Sequence, residues 1–303
     1  MTASDTVADT QHHGLVALLP AASRPYALLG RFDRPIGWWL LFWPGAWAIA
    51  LAGGAIARWD LLLWFLIGAI AMRSAGCVYN DIVDRDLDRQ VARTANRPLA
   101  SGAVSLKAAW IWLVLLCFVG LLVLVQLNPV AIGIALASLA LVAAYPFMKR
   151  ITWWPQAWLG LVFSWAAPVG WAAITHAINW PGALLYAGSI FWVIGYDTIY
   201  AIQDLEDDAI VGVRSSARRM GAQVRGGVAL CYLIALCLWG VSIWLVRPDW
   251  VALLALIPMA LHLSWQVVTL DRSDGRNALH RFRSNRNAGF LMFAACFVVG
   301  TAL

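Results

Sequence analysis

Apolar stretches of about 17 to 25 residues recur along the whole chain, and short segments between them hold most of the polar residues. Stretches of this length cross a bilayer as α-helices, because a helix of about 20 residues spans the hydrocarbon core and satisfies its own backbone hydrogen bonds. The pattern therefore predicts an all-α integral membrane protein with nine transmembrane helices. The predicted spans are 36–57, 61–80, 106–125, 129–146, 154–176, 182–203, 227–246, 250–270 and 287–302.

Composition and charge agree with this prediction. Of 303 residues, 62% are hydrophobic and only 13% are charged. If the N-terminus is cytoplasmic, 19 of the 22 Lys and Arg residues fall in cytoplasmic segments, where such residues are normally enriched. The net charge of +6 is thus interpreted as a topology signal that also attracts anionic membrane lipid, and not as a sign of nucleic-acid binding. We expect a multi-pass protein of the bacterial inner membrane.

The domain organisation is predicted to be simple. Residues 1–33 are expected to form a short cytoplasmic tail, and residues 34–303 a single polytopic membrane domain, because no long polar linker divides the chain. The five cysteines lie in apolar spans without the paired spacing of a metal site, so they are interpreted as buried apolar residues. No feature indicates an obligate protein partner.

Acidic residues are concentrated at the ends of two predicted spans. Nine of the sixteen fall between Asp81 and Asp88 or between Asp197 and Asp208. Within the first cluster Asn80, Asp84 and Asp88 follow one another at intervals of four, and in the second Asp204 and Asp208 repeat that interval. On a helix this spacing places each set on one face, about 6 Å per step. Oxygen groups spaced in this way suit Mg²⁺, which commonly shares its coordination with substrate phosphates.

The two clusters have matching positions. Asp84 and Asp204 are 120 residues apart, and four predicted spans lie between them, so both clusters are expected on the same membrane face. This arrangement predicts a parallel internal repeat with one site at its interface. Lys149 and Arg150 end the fourth span on the same face and are candidates to contact a diphosphate, as are, more weakly, basic residues of the two acidic loops.

Two longer motifs carry a resemblance to a known family. The first reads Asn80-Asp81-x-x-Asp84-x-x-x-Asp88 and continues through Asn96-Arg97-Pro98, and the second runs from Tyr196 to Asp208 and continues through Gly212-Val213-Arg214-Ser215-Ser216. Both resemble the signatures of the intramembrane aromatic prenyltransferases, the UbiA family. Arg34-Pro35-Ile36-Gly37 and Met72-Arg73-Ser74-Ala75-Gly76 are similar to its 4-hydroxybenzoate branch. Glu206 departs from the Asp found in many relatives, but it lies off the face shared by Asp204 and Asp208.

The resemblance implies a fold, a reaction and roles for particular residues. It implies a nine-helix bundle around a central cavity that binds Mg²⁺, a polyprenyl diphosphate and 4-hydroxybenzoate, in ubiquinone biosynthesis. The polyprenyl group would be transferred to the ring carbon ortho to the phenol. Asp81, Asp197 and Asp207 would support the metal ligands, and the proton acceptor and the donor chain length stay open. The implied metal ligands are Asn80, Asp84, Asp88, Asp204 and Asp208, and the four aspartates among them are also the implied catalytic residues. The implied substrate contacts are Arg34 and Arg73 for the acceptor carboxylate, and Lys149 and Arg150 for the diphosphate with Tyr145 as a neighbour.

Alternative functions differ in what they require. The acceptor could be another aromatic such as homogentisate or a naphthoate, since relatives with these acceptors have related acidic motifs. The CDP-alcohol phosphotransferases are disfavoured because their single Asp-Gly-x-x-Ala-Arg cluster is absent. A cation transporter with paired carboxylates is the non-enzymatic alternative, although transporters usually place such groups near the bilayer midplane.

Overall fold

The computed structural model describes residues 15–90, 94–205 and 214–302, without the side chains of Leu15, Lys149, Arg150 and Asp204. All regular secondary structure in these ranges is helical, and they contain no strand. Short 3₁₀ turns cover Leu15–Leu18, Ala201–Asp204 and Gly221–Gln223. The α-helices are α1 (Arg24–Leu29), α2 (Ile36–Leu51), α3 (Trp59–Asp88), α4 (Leu106–Leu124), α5 (Pro129–Ile151), α6 (Pro155–Ser164), α7 (Ala166–Thr175), α8 (Trp180–Tyr200), α9 (Ser216–Met220), α10 (Val224–Val246), α11 (Trp250–Leu254), α12 (Ile257–Val268) and α13 (Gly275–Gly300).

Seven helical segments of the described chain are long and apolar enough to cross a membrane: α3, α4, α5, α6 with α7, α8, α9 with α10, and α11 with α12. They confirm an all-helical, multi-pass membrane protein. Of the other two predicted spans, α2 has only 16 residues, and the first half of α13 carries four arginines. The count of nine spans, the central cavity and the internal repeat therefore stay predictions.

Several helix boundaries differ from the predicted spans for local reasons. The first span was predicted to reach residue 57, but α2 ends at Leu51 and is followed by Gly53 at φ +80°, a conformation that glycine adopts without strain. The fifth and eighth spans are each broken into two helices. Pro168 and Pro258 have no N–H to donate to the carbonyls four residues earlier, which are the last residues of α6 and α11.

Packing divides the chain into two units. The first comprises Met1–Trp38 and Leu66–Val125. Its core is formed by α1, α3, α4 and the segment after α3, through Leu29, Val78, Leu99 and other buried apolar residues. Leu29 is fully buried. Helix α1 therefore contributes to this core through Leu29, and the predicted division into a tail at residues 1–33 and a membrane domain at residues 34–303 stays a prediction.

The second unit comprises Trp39–Phe65 and Gln126–Leu303. Its centre holds three fully buried tryptophans, Trp47, Trp192 and Trp239, with ring centroids 4.9 to 6.5 Å apart. Each indole N–H donates a hydrogen bond: to the Gly289 carbonyl (2.8 Å), the Asn285 Oδ1 (2.9 Å) and the Leu185 carbonyl (3.3 Å), respectively. Satisfying these donors matters because an unpaired polar group in an apolar interior is costly.

Candidate active site

The last turns of α3 carry the first acidic motif. The helix continues without interruption to Asp88, eight residues beyond the predicted end of the second span. Asp84 is 1% exposed and Asp88 is 7% exposed, whereas the Asp86 side chain is 76% exposed. Asn80, Asp84 and Asp88 thus share one face of an α-helix, as the four-residue spacing predicted, and this face is turned inward while Asp86 faces outward.

Asp81 is held by two arginines. Nη2 of Arg31 donates to both carboxylate oxygens of Asp81 at 2.9 Å, and Nη1 of Arg97 donates to Oδ1 at 3.2 Å. Asp81 is only 2% exposed. A buried carboxylate needs such partners, because its desolvation is not otherwise compensated. Asp81 is therefore bound by two arginines, and its predicted role in supporting the metal ligands stays a prediction.

Arg97 links this ion pair to the end of the motif. The same Nη1 atom of Arg97 lies 2.8 Å from Oδ2 of Asp88. The segment that carries Arg97 folds back onto α3: the Thr94 hydroxyl donates to the Asp88 carbonyl at 2.8 Å, and Arg89 Nε donates to the Ala100 carbonyl at 3.1 Å. The result is a chain of alternating charges, Arg31–Asp81–Arg97–Asp88, along one side of the candidate site.

Arg31 was missed as a site residue by the sequence analysis, which interpreted it only through its charge. Its backbone is left-handed, with φ of 56°, a conformation that is uncommon for a residue with a side chain. It follows Gly30, the residue that ends α1, and its Nη1 also donates to the Leu28 carbonyl at 3.0 Å. The sequence does not indicate that this arginine pairs with Asp81, because the two residues are 50 positions apart.

The two arginines predicted to bind the acceptor lie in the first unit. Arg73 is half-buried in α3 and lies seven residues before Asn80. It is therefore on nearly the same helix face as Asn80, about 10 Å away along the helix axis, in the direction of the N-terminus. A methyl group added at Gly37 would lie 2.6 Å from Arg73 Nε. Glycine at this position therefore leaves the space that the Arg73 guanidinium occupies. Arg34 Nε lies 3.3 Å from Oδ2 of the buried Asp33.

The second acidic motif begins where α8 ends. After Tyr200 the chain tightens into the 3₁₀ turn that ends at Asp204. Asp207 and Asp208 lie outside the described residues, so the predicted helical relation between Asp204 and Asp208 stays a prediction. Asp197, predicted to support the ligands, is half-buried in the last turn of α8.

The end of the second motif is anchored in the second unit. The hydroxyls of Thr198 and Ser216 lie 2.7 Å apart, and the Ser216 N–H donates to Gln156 Oε1 at 3.0 Å. Nη1 of Arg214 donates to the carbonyl of Ile151 at 2.9 Å. Since Ile151 directly follows Lys149 and Arg150, this bond brings the second motif beside the end of α5. Tyr145 is half-buried earlier in the same helix.

The donor set of α3 fits Mg²⁺ only as part of a shared coordination sphere. No group of three His, Cys, Asp or Glu side chains that could hold a metal occurs within residues 15–90, 94–205 and 214–302. Asn80, Asp84 and Asp88 offer one amide and two carboxylate groups on one face. Such a partial oxygen set is typical of Mg²⁺ sites, where water and substrate phosphate complete the octahedron.

A family model supplies the identification. The model of the UbiA prenyltransferase family matches residues 41–300. The chain belongs to the UbiA prenyltransferase family.

Curated and solved relatives of this UbiA family member agree with the assignment. Proteins named 4-hydroxybenzoate polyprenyltransferase, mitochondrial, are 40% identical in Aedes aegypti (98% of this chain, 68% of the relative) and 41% identical in Homo sapiens (90% and 75%). A UbiA homolog from Aeropyrum pernix has a TM-score of 0.70 at 24% identity, covering 86% of this chain and 97% of the homolog. A homolog from Archaeoglobus fulgidus, solved with GPP and Mg²⁺, has a TM-score of 0.65 at 17% identity, with coverages of 92% and 100%. The structural similarities establish the common fold.

Proposed function

We propose that this protein transfers a polyprenyl group from a polyprenyl diphosphate to 4-hydroxybenzoate, at the ring carbon ortho to the phenol, in ubiquinone biosynthesis. The observation that carries the proposal is the inward face of α3, where Asp84 and Asp88 are buried at the end of a membrane-crossing helix. Relatives at about 40% identity that bear the name 4-hydroxybenzoate polyprenyltransferase support this acceptor. Ionisable side chains at such positions are expensive and are usually retained for function.

Mg²⁺ is the proposed cofactor. We assign Asn80, Asp84 and Asp88 to one ion and Asp204 and Asp208 to a second. When bound, the metal would neutralise charge on the diphosphate leaving group. The homolog solved with GPP and Mg²⁺ supports the cofactor and the diphosphate class of donor.

Basic residues are proposed to complete the diphosphate site. The second motif meets the end of α5 through the hydrogen bond from Arg214 to the Ile151 carbonyl. We therefore assign the phosphate contacts to Lys149 and Arg150, with Tyr145 as a neighbour. These charge-assisted contacts would favour departure of the leaving group.

Arg73 and Arg34 are proposed to bind the carboxylate of 4-hydroxybenzoate. Arg73 suits this role because it lies on nearly the same face of α3 as Asn80, about two turns before it in the helix. A planar guanidinium binds a carboxylate through two parallel hydrogen bonds, which would fix the orientation of the ring.

The proposed reaction breaks the allylic C1–O bond of the donor, and its electron pair goes to the diphosphate. The ring carbon ortho to the phenol then forms a bond to C1, and loss of the proton on that carbon restores the aromatic ring. Either the released diphosphate or an aspartate would accept this proton. An apolar enclosure would protect the cationic carbon from water.

The first experiment is product analysis by mass spectrometry in membranes that contain the protein, an all-trans polyprenyl diphosphate and 4-hydroxybenzoate, with and without Mg²⁺. A Mg²⁺-dependent prenylated hydroxybenzoate is expected. Product from homogentisate or a naphthoate alone would refute the acceptor but keep the reaction class. Absence of product with every acceptor, from folded protein, would favour the cation transporter.

The metal assignment is tested by Asp84→Asn with Asp86→Asn as the matched control. Both changes remove one carboxylate from the same helix turn, but Asp84 is buried and Asp86 is exposed. We expect Asp84→Asn to lower turnover at limiting Mg²⁺ by at least about 10 to 100-fold, with Asp86→Asn close to wild type. Near-normal turnover of Asp84→Asn would refute the assignment.

The cellular site is proposed to be the bacterial inner membrane, with the N-terminus and both acidic motifs on the cytoplasmic side. The distribution of Lys and Arg supports this orientation. The curated relatives are named as mitochondrial proteins, so membrane fractionation is the direct check. A reporter fused after Arg89 is expected to be cytoplasmic. Reporter activity on the outer side of the membrane would refute the proposed topology.

A further inference from the structure

The loop before α13 and the first half of this helix carry an excess of positive charge. The loop and helix contain five arginines between residues 272 and 286, but only Asp271 and Asp274 as acids. Asp274 accepts hydrogen bonds from the N–H groups of Arg276 (2.8 Å) and Asn277 (3.1 Å) at the start of α13. The hydroxyl and N–H of Ser273 donate to Asp271 and lower its pKa. Both carboxylates therefore accept hydrogen bonds from residues that follow them closely in the chain.

One arginine of this region is held on an aromatic ring. The guanidinium carbon of Arg281 lies 4.1 Å from the centroid of the Trp265 ring, and Nη1 lies 2.8 Å from Nδ1 of His280. Arg281 Nε is buried and has no hydrogen-bond partner in the described part of the chain. Stacking on tryptophan uses the face of the guanidinium and fixes its position without using its N–H donors.

The helices beneath this pair are tied together by buried hydrogen bonds. Gln266, directly after Trp265, is fully buried; it accepts from the Tyr232 hydroxyl at 2.8 Å and donates to Ser284 Oγ at 3.1 Å. The Ser284 hydroxyl in turn donates to the Arg281 carbonyl at 2.7 Å. Trp265 and Arg281 are thus positioned by the core of the second unit, so little ordering is needed when they bind a ligand.

The outer face of α13 changes from basic to apolar along its length. Residues at helical spacing define this face: Arg276 and His280 are exposed, and Arg283 is half-buried. The same stripe continues through Asn287 to Phe290, Ala294 and Val298, which are exposed and, apart from Asn287, apolar. A free anion would use only the basic end of such a stripe, whereas a lipid would use both ends.

We propose that this basic corner, formed by Trp265, Arg276, His280, Arg281 and Arg283, binds the phosphate of an anionic phospholipid, with its acyl chain along Phe290 and Val298. The basic corner lies at one end of α13, where a lipid head group would meet it. Topology alone accounts for positive charge in this segment. It does not require a guanidinium stacked on an exposed tryptophan, nor a stripe that becomes apolar over the next two turns.

The test measures lipid binding and does not depend on prenyl transfer. Purified protein in detergent is titrated with phosphatidylglycerol or with phosphatidylcholine of the same chains, and bound lipid is counted by native mass spectrometry. We expect tighter binding of phosphatidylglycerol. Arg281→Gln is expected to weaken it about fivefold, the effect of one arginine at an anionic surface, without changing phosphatidylcholine binding.

Two further variants keep the test decisive. Arg276→Gln changes an exposed residue and is expected to weaken phosphatidylglycerol binding without affecting folding. Arg225→Gln removes another exposed arginine of the second unit, on α10, and is the matched control with no expected effect. An equal loss with Arg225→Gln, or equal affinity of wild type for the two lipids, would overturn the proposal.

Inorganic phosphate distinguishes a lipid from a free anion. Bound phosphatidylglycerol should be displaced by a short-chain phosphatidylglycerol at concentrations at which phosphate has little effect. Displacement by phosphate with the same potency would show that the acyl chain contributes nothing, and the lipid assignment would fail.

Discussion

Removal of Arg31 isolates the contribution of a buried ion pair to the first acidic motif. Arg31 and Asp81 are 12% and 2% exposed, and the arginine donates twice at 2.9 Å. Arg58 and Asp60 also form an ion pair with two hydrogen bonds of 3.0 Å, here from Nε and Nη2, but they are 47% and 41% exposed. The variants Arg31→Gln and Arg58→Gln therefore each remove an ion pair with two hydrogen bonds, and the two pairs differ in how deeply they are buried.

The expected magnitudes follow from that difference. Breaking a fully buried pair costs about 3 to 5 kcal/mol, because a charge is left without compensation. Asp81 keeps its bond of 3.2 Å to Arg97, so we expect Arg31→Gln to lower the free energy of unfolding by a smaller amount, about 2 kcal/mol. An exposed pair contributes about 0 to 1 kcal/mol. Arg58→Gln should therefore lower the free energy of unfolding by no more than this amount.

Thermal unfolding in detergent with EDTA, followed by circular dichroism, measures both variants without a contribution from bound metal. At about 2 °C per kcal/mol, the midpoint should fall by roughly 4 °C for Arg31→Gln and by less than roughly 2 °C for Arg58→Gln. Adding Asp81→Asn to Arg31→Gln should recover part of the loss, since it removes the uncompensated charge. Equal shifts for the two arginines, or no recovery in the double variant, would refute the reasoning.

Two further predictions concern the acceptor site and the core of the second unit. Gly37→Ala should raise the KM for 4-hydroxybenzoate, because the new methyl group would lie 2.6 Å from Arg73 Nε and displace this guanidinium. Gly76→Ala in α3 is the control and should leave KM unchanged, because the space around its added methyl group is open. Equal KM values for the two variants would argue against this role of Arg73. Asn285→Leu should lower the free energy of unfolding by about 1 to 3 kcal/mol, measured by thermal unfolding, because it leaves a buried indole N–H without its acceptor. An unchanged midpoint would mean that this N–H finds another partner.

Much of the molecule follows from local sequence. A helix repeats every 3.6 residues whatever surrounds it, so the intervals among Asn80, Asp84 and Asp88 were enough to predict one shared face, which α3 confirms. Long apolar stretches likewise predicted membrane helices, because in lipid the N–H and C=O groups of the backbone must form their hydrogen bonds with each other. The family could also be predicted, since its motifs are contiguous in sequence.

Other features were not predicted. The breaks in the fifth and eighth predicted spans have a local cause in Pro168 and Pro258, but hydropathy averaged over a window of residues conceals them. Other features depend on residues that are distant in sequence. Arg31 could not be assigned at all, since neither its left-handed backbone nor its partner Asp81 is encoded nearby. The same is true of Trp265 and Arg281, which meet only because α12 and α13 pack together.

The sequence by itself determined the membrane-helical class, the face on which the first motif lies and the family, because these depend on periodicity, length and contiguous motifs. Tertiary structure decided that Asp81 and Asp88 are buried and paired with arginines while Asp86 faces outward, and that α1 joins the packed core. The physical reason is that the cost of a charge depends on burial and on partners in space. Both are set by packing between segments tens of residues apart.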